Sequence, residues 1–99
     1  MQARYEVQFE REMGCTEQEL MRWLPGAVGP HPWQAQGQAA VICIGAGRLE
    51  LRWSALPVRQ IALMRMPRLA VAFRFDGVDD ASLQRFMRYF DLYTQRGGG

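Results

Sequence analysis

Five stretches of the chain read as strands, and where apolar and polar residues alternate along them the pattern is typical of strands that bury one face. In the first stretch Tyr5, Val7 and Phe9 fall on one side, and charged residues fall on the other. Leu49, Leu51 and Trp53 alternate in the same way further along. The pattern predicts strands over residues 3–12, 38–44, 48–54, 58–66 and 68–75.

The last four predicted strands are separated by short breaks. Gly45-Ala46-Gly47 predicts a hairpin turn, Leu56-Pro57 a break and Pro67 a turn. Connections this short cannot hold the crossover that parallel strands need, so these four strands are predicted to form an antiparallel meander. The pattern leaves open whether the first strand pairs beside the second or beside the last.

The first of two predicted helices begins after a capping box. Thr16 and Glu19 have the spacing at which each side chain bonds the backbone amide of the other, and Cys15 and Leu20 are spaced for a hydrophobic staple. Pro25-Gly26 is expected to limit this helix. Residues 25–37 then read as one long irregular loop that carries His31 and Trp33.

The second predicted helix starts at Asp79 or Asp80 and runs to about Gln95. Its apolar stripe has helical spacing and is large enough to cover the sheet. The stripe consists of Leu83, Phe86, Met87, Phe90 and Thr94.

The element order β-α-β-β-β-β-α predicts an α+β two-layer sandwich, in which a five-stranded antiparallel sheet carries two helices on one face. We expect a single domain over residues 1–96, followed by a flexible glycine tail at residues 97–99. The element order is similar to that of a shortened helix-grip domain, in which a bent sheet wraps a long C-terminal helix. That resemblance implies a ligand pocket between the sheet and the last helix.

Composition excludes several function classes. All 12 basic residues are arginine against 10 acidic residues, and the net charge of +2 does not favour a nucleic-acid partner. The predicted solvent face interleaves arginine with glutamate and carries no aromatic side chain for base stacking. No apolar run approaches 18 residues, so we expect no membrane span and a cytoplasmic location.

Catalytic and metal-binding patterns are weak. The single histidine, His31, lies between two prolines, and Cys15 and Cys43 show no recognised ligand spacing. Asp79 and Asp80 are explained by capping of the second helix. We therefore expect a non-enzymatic protein with no metal and no cofactor.

Two binding surfaces remain, and the first is favoured. One face of the fourth and fifth predicted strands is small and apolar with arginines at its rim, as in an interface that binds a second copy or another protein. Its residues are Gln60, Ala62, Met64, Met66, Arg68, Ala70, Ala72 and Arg74.

The alternative surface is a small-molecule pocket under the last helix, with His31 and Trp33 at its mouth. The side chains expected to line it are Trp23, Trp53, Phe86 and Phe90.

Overall fold

The structure is a computed structural model, and it describes residues 4–95. These residues form β1 Gln8–Met13, α1 Glu17–Ala27, β2 Trp33–Gln36, β3 Ala39–Ile44, β4 Gly47–Ile61, β5 Met64–Asp76 and α2 Asp80–Gln95. All five strands pair antiparallel in one sheet of order β1-β5-β4-β3-β2. The predicted α+β class and element order are confirmed. The predicted glycine tail at residues 97–99 lies outside the described residues.

The helices and the sheet share one hydrophobic core. Alternate residues of the strands point into it, and the apolar stripes of both helices complete it. Each large side chain that is fully removed from water contributes roughly 1.5–3 kcal/mol of transfer free energy. The largest fully buried side chains include Leu20, Leu24, Ile42, Leu51, Phe73 and Phe90.

The start of α1 matches its prediction, but its end does not. Thr16 Oγ1 accepts a hydrogen bond from the Glu19 amide at 3.1 Å, and Glu19 Oε1 accepts one from the Thr16 amide at 2.9 Å. The helix then continues through Pro25 to Ala27. Proline removes one amide donor, but the Val28 amide still reaches the Leu24 carbonyl at 3.0 Å. Burial of Ala27 and Val28 holds this last turn in place.

Gly26 lets α1 and α2 come into close contact. A Cβ atom at position 26 would lie 2.1 Å from Tyr93 Oη, far inside any allowed contact. Glycine is therefore needed here for close approach rather than for a turn.

The predicted irregular loop over residues 25–37 is wrong. Its beginning belongs to α1, and its end forms β2, which pairs with β3 through the register Gln36↔Ala39. The two-residue turn between them starts with Gly37, whose φ is +61°. Glycine at that position suits a tight hairpin.

The predicted breaks at Leu56-Pro57 and Pro67 are also wrong. β4 runs unbroken through Pro57, and β5 runs unbroken through Pro67. The turn lies instead at Ala62-Leu63, between the paired residues Ile61 and Met64. The three predicted strands over residues 48–75 are thus two long strands, and β2 brings the number of strands back to five.

Candidate functional site

The hairpin of β4 and β5 extends beyond the rest of the sheet. β3 pairs with β4 only as far as Arg52, and β1 pairs with β5 only as far as Leu69. Residues 55–68 therefore form a two-stranded projection, which we call the arm. At about 3.3 Å per residue the arm is roughly 20 Å long. It accounts for the elongated molecule, whose extents are 46 × 30 × 24 Å.

The arm exposes large apolar side chains. Every residue from 57 to 66 is exposed to solvent. Leu63, at the turn, is 97% exposed and Met64 is 65% exposed. Val58, Ile61 and Met66 are each more than two-fifths exposed. Because an isolated two-stranded hairpin is at best marginally stable in water, the arm gains stability from anything that covers it.

The register assigns the arm side chains to two faces. Cross-strand partners share a face, so Arg59 with Met66 and Ile61 with Met64 form the outer face of the arm. The pair Gln60 and Arg65 lies on the opposite face.

The predicted grouping of Gln60 with Met64 and Met66 is therefore wrong. A register shift between Leu56 and Arg59 reverses the alternation of β4 at this point. Ala62 lies in the turn rather than in a strand. Along β5 the other predicted interface residues alternate onto one face, which continues from the outer face of the arm along the sheet. They are Met64, Met66, Arg68, Ala70, Ala72 and Arg74.

Ion pairs fix the base of the arm to β1. The Glu12 carboxylate lies 2.7 Å from Arg68 Nη1 and 3.5 Å from Arg59 Nη2. Arg68 Nε also donates a hydrogen bond to the Pro57 carbonyl at 2.9 Å. The arm itself carries three arginines, including Arg65, and no acidic residue. Its surface is thus apolar and cationic.

The turn of the arm has an unfavourable backbone. Ala62 has a φ of 55° and is the one non-glycine residue with a positive φ among residues 4–95. Hairpin turns of two residues usually place Gly, Asn or Asp there. Such strain often accompanies functional segments.

A shallow trough of about 630 Å³ lies on the outer face of the sheet. Ala72 forms part of its floor, and Glu10, Glu50, Arg52 and Arg74 stand around it. Both signs of charge are present, and Arg48 Nε already donates to Glu50 Oε2 at 3.1 Å. The trough is continuous in sequence with the arm through β5.

The six predicted pocket residues do not line one cavity. His31 and Phe86 do meet, with ring centroids 5.7 Å apart, in a cleft of about 560 Å³. Trp23 instead lines a separate depression of about 250 Å³ beside β1.

The remaining predicted pocket residues have structural roles. Phe90 is fully buried and packs edge-on against Phe73 at 5.6 Å. Trp53 is buried and donates from Nε1 to Glu17 Oε2 at 2.7 Å. Trp33 lies in β2 opposite Ile42.

Two buried groups, the Cys15 thiol and the Tyr5 hydroxyl, have raised pKa values. Burial, and then the charge of Glu19, raises the pKa of the Cys15 thiol to about 11. Burial, and then a hydrogen bond to Asp91, raises the pKa of Tyr5 to about 12. A thiol with so high a pKa is a weak nucleophile at neutral pH. Cys15 also lines the depression beside β1, whereas His31 lines the cleft.

Comparisons with known proteins add no assignment. No protein-family model, curated protein or solved structure matches this chain. Among the described residues, no group of three or more His, Cys, Asp or Glu side chains is placed to hold a metal ion. In the same part of the chain, neither helix is long and apolar enough to cross a membrane.

Sequence reasoning missed the apolar residues at the end of the arm. Val58, Ile61 and Leu63 are not among the residues predicted to form the interface. The signal was available in the composition of residues 57–67, where two prolines enclose a mostly apolar segment with no acidic residue.

Proposed function

We propose that the protein acts by binding a second copy of itself through the arm. The observation that carries this proposal is the exposure of the whole segment 57–66, which includes five large apolar side chains. Apolar patches rimmed by arginine are typical of protein interfaces, where Met and Arg are enriched.

A second copy is favoured because the two surfaces it would bring together are complementary. The outer face of the arm presents apolar side chains with Arg59, and the trough presents Ala72 with the carboxylates of Glu10 and Glu50. If each arm lies along the trough of the other copy, the contacts repeat under a two-fold axis. Stable dimers bury about 800 Å² per partner, which needs both the arm and the outer face of the sheet.

The same arrangement explains the small residues on the outer face of β5. Ala70 and Ala72 alternate with buried residues of β5 and are themselves only partly exposed. Small side chains allow a second backbone to approach closely, whereas Met64 and Met66 adapt their shape to a partner. These properties suit an interface better than a solvated sheet face.

The test is the oligomeric state of the purified full chain. Sedimentation velocity and native mass spectrometry at low micromolar concentration are expected to give a dimer of twice 11.4 kDa. The double variant Ile61→Glu, Met64→Glu puts two charges on the outer face of the arm and is expected to be monomeric and folded. Burying such charges without partners costs more than a dimer interface of this size gains.

A matched control lies on the other face of the same arm. Gln60→Glu with Arg65→Gln changes the net charge by the same two units at the neighbouring cross-strand pair. This control is expected to shift the dimer dissociation constant much less than the outer-face variant does. Equal effects of the two variants, or a wild-type protein that stays monomeric at 100 µM, would refute the proposal.

A lipid surface is the competing occupant of the arm. The competing result is a monomeric wild-type protein that binds vesicles containing anionic lipid, with binding lost in the Ile61→Glu, Met64→Glu variant. That result would identify a membrane, and not a second copy, as the partner of the arm.

Within this proposal the protein is a non-enzymatic cytoplasmic binding protein. Support for the compartment comes from Cys15 and Cys43, which are both free thiols. Free thiols are usual in reducing compartments. The separation of Cys15 from His31 supports a function by contact rather than by covalent catalysis.

A further inference from the structure

A second surface lies at the other end of β4 from the arm. A cleft of about 560 Å³ opens where three segments meet: residues 28–31 after α1, Ile44 and Gly45 at the end of β3, and one face of α2. Its volume is within the range of small-molecule sites, which is about 300–1,000 Å³.

The walls of the cleft are apolar and aromatic. Phe86 is buried and is in edge contact with Phe75 at 6.2 Å, so its position is fixed by the core. The His31 ring lies 5.7 Å from the Phe86 ring at an angle of 56°. Tyr89, about half exposed, stands over Gly29, where a Cβ atom would be 3.6 Å from its ring. Three rings thus surround a space of molecular size.

The charged group at the rim is a cation. Arg85 is the one permanently charged residue among those that line the cleft, and no carboxylate is among them within residues 4–95. Arg85 Nη2 makes a single long contact, 3.4 Å, to Ser82 Oγ. A guanidinium has five N–H donors, so most of its donors remain available to a ligand.

Asp79 interacts electrostatically with Arg85, but its hydrogen bonds go to Ser82. It accepts hydrogen bonds from Ser82 Oγ at 2.6 Å and from the Ser82 amide at 3.1 Å. These bonds lower the pKa of Asp79 from its usual value. It does not line the cleft.

We propose that this cleft binds a small aromatic carboxylate. The aryl body would pack between the Phe86 and Tyr89 rings, and the carboxylate would accept hydrogen bonds from Arg85 and from the His31 ring. Aromatic walls favour a planar apolar body, and a guanidinium matches a carboxylate in a two-bond geometry. This site is independent of the arm, since it uses none of residues 55–68.

The test uses 2-naphthoate and its neutral counterpart 2-naphthamide as probes. Both are titrated into the 15N-labelled full chain, and the amide resonances of residues 28–31, 44–45 and 82–89 are followed. The expected result is saturable shifts at these residues, with a dissociation constant for the acid roughly tenfold lower than for the amide. Charge-assisted hydrogen bonds have about this effect on affinity.

A pair of arginine variants on α2 separates a specific contact from general charge. Arg85→Gln is expected to weaken binding of 2-naphthoate roughly tenfold and to leave 2-naphthamide unchanged. Arg88→Gln makes the same charge change at an exposed residue outside the cleft and is expected to alter neither affinity. Both substitutions are at exposed positions, so the fold is retained.

Four results would overturn the proposal. They are no saturable shift with 2-naphthoate at millimolar concentration, shifts that map outside the cleft, equal affinity for the acid and the amide, and equal effects of the two arginine variants. Each can be observed whether or not the chain forms a dimer.

Discussion

The hydroxyl of Tyr5 donates a hydrogen bond to the carboxylate of Asp91, which lies 86 residues further along the chain. Arg11 donates to the same carboxylate from both terminal nitrogens, and its guanidinium lies 4.8 Å from the centre of the Phe73 ring. The backbone of Tyr5 is also bonded to the Gln84 side chain, at 2.9 and 2.7 Å. The segment before β1 is therefore held to α2 by side chains, in addition to the backbone hydrogen bond that the Phe75 amide of β5 donates to the Val7 carbonyl at 2.8 Å.

Tyr5→Phe is expected to lower the free energy of unfolding by about 1.5–3 kcal/mol, because it removes a hydrogen bond to a partly buried charge. Urea denaturation followed by circular dichroism measures the change. Tyr89→Phe is the control, because the Tyr89 ring is about half exposed. Its free energy of unfolding is expected to lie within about 0.5 kcal/mol of the wild-type value, as for other surface substitutions. If Tyr5→Phe leaves the free energy of unfolding unchanged, the hydrogen bonds from Arg11 alone are sufficient for the Asp91 carboxylate.

Stability is expected to fall at alkaline pH because of the same tyrosine. The folded pKa of Tyr5, about 12, is raised above its ordinary value of 10. The stability from this shift is fully present below pH 10 and is lost as the pH rises towards 12. It amounts to about 2–3 kcal/mol. The free energy of unfolding, measured from pH 9 to 12, should fall with pH in the wild type and fall less steeply in Tyr5→Phe.

The two thiols are expected to differ sharply in reactivity. Cys43 is exposed on β3, whereas Cys15 is 1% exposed and has a pKa of about 11. Ellman's reagent at pH 8 should therefore modify Cys43 quickly and Cys15 only when denaturant is added. Cys43→Ser should abolish the fast phase, and Cys15→Ala should retain it. Two fast thiols in the wild type would show that the start of α1 opens readily.

Relief of the strained turn is expected to stabilise the arm. Ala62→Gly removes the side chain from a residue with a φ of 55° and should favour the closed hairpin by about 1 kcal/mol. Amide exchange across the pair Ile61 and Met64 should then slow roughly fivefold. Ala62→Val, which is β-branched, should speed the same exchange. The reverse order would mean that the arm does not depend on this turn.

Local chemistry made some elements predictable from the sequence. The Thr16–Glu19 capping box is a reciprocal bond between near neighbours, so its spacing alone identifies it. The stripe of α2 is equally local, and Leu83, Met87 and Phe90 are all buried as predicted. Thr94, at the end of that predicted stripe, is only partly buried and donates from its hydroxyl to the Phe90 carbonyl at 3.0 Å.

The hairpin of β4 and β5 was not predictable from the usual turn residues. Pro57 and Pro67 normally end strands because they cannot donate to a neighbour, but the arm has no further strand on either side. The actual turn, Ala62-Leu63, contains none of the residues that usually mark one. By contrast, Gly37 did mark the turn between β2 and β3, within a segment interpreted as a loop because of its prolines.

The predicted face agrees with the structure only along β5. Met64, Met66, Ala70 and Ala72 were grouped correctly because β5 keeps its alternation throughout. On β4 the bulge after Leu56 reverses the faces, and Pro57, interpreted as the end of a strand, marks this bulge instead.

The position of β1 at the edge beside β5 has a consequence for how the domain folds. Gln8 pairs with Arg74, so β1 has β5 as its only neighbour in the sheet formed by residues 4–95. β1 is synthesised first among the five strands and therefore has no strand partner until β5 has left the ribosome. The hairpins of β2 to β5 close over short loops and can form early, whereas β1 must wait for a contact of high sequence separation. Docking of β1, together with the ion pairs of Glu12 and Arg11, is therefore expected to be a late step that completes the core.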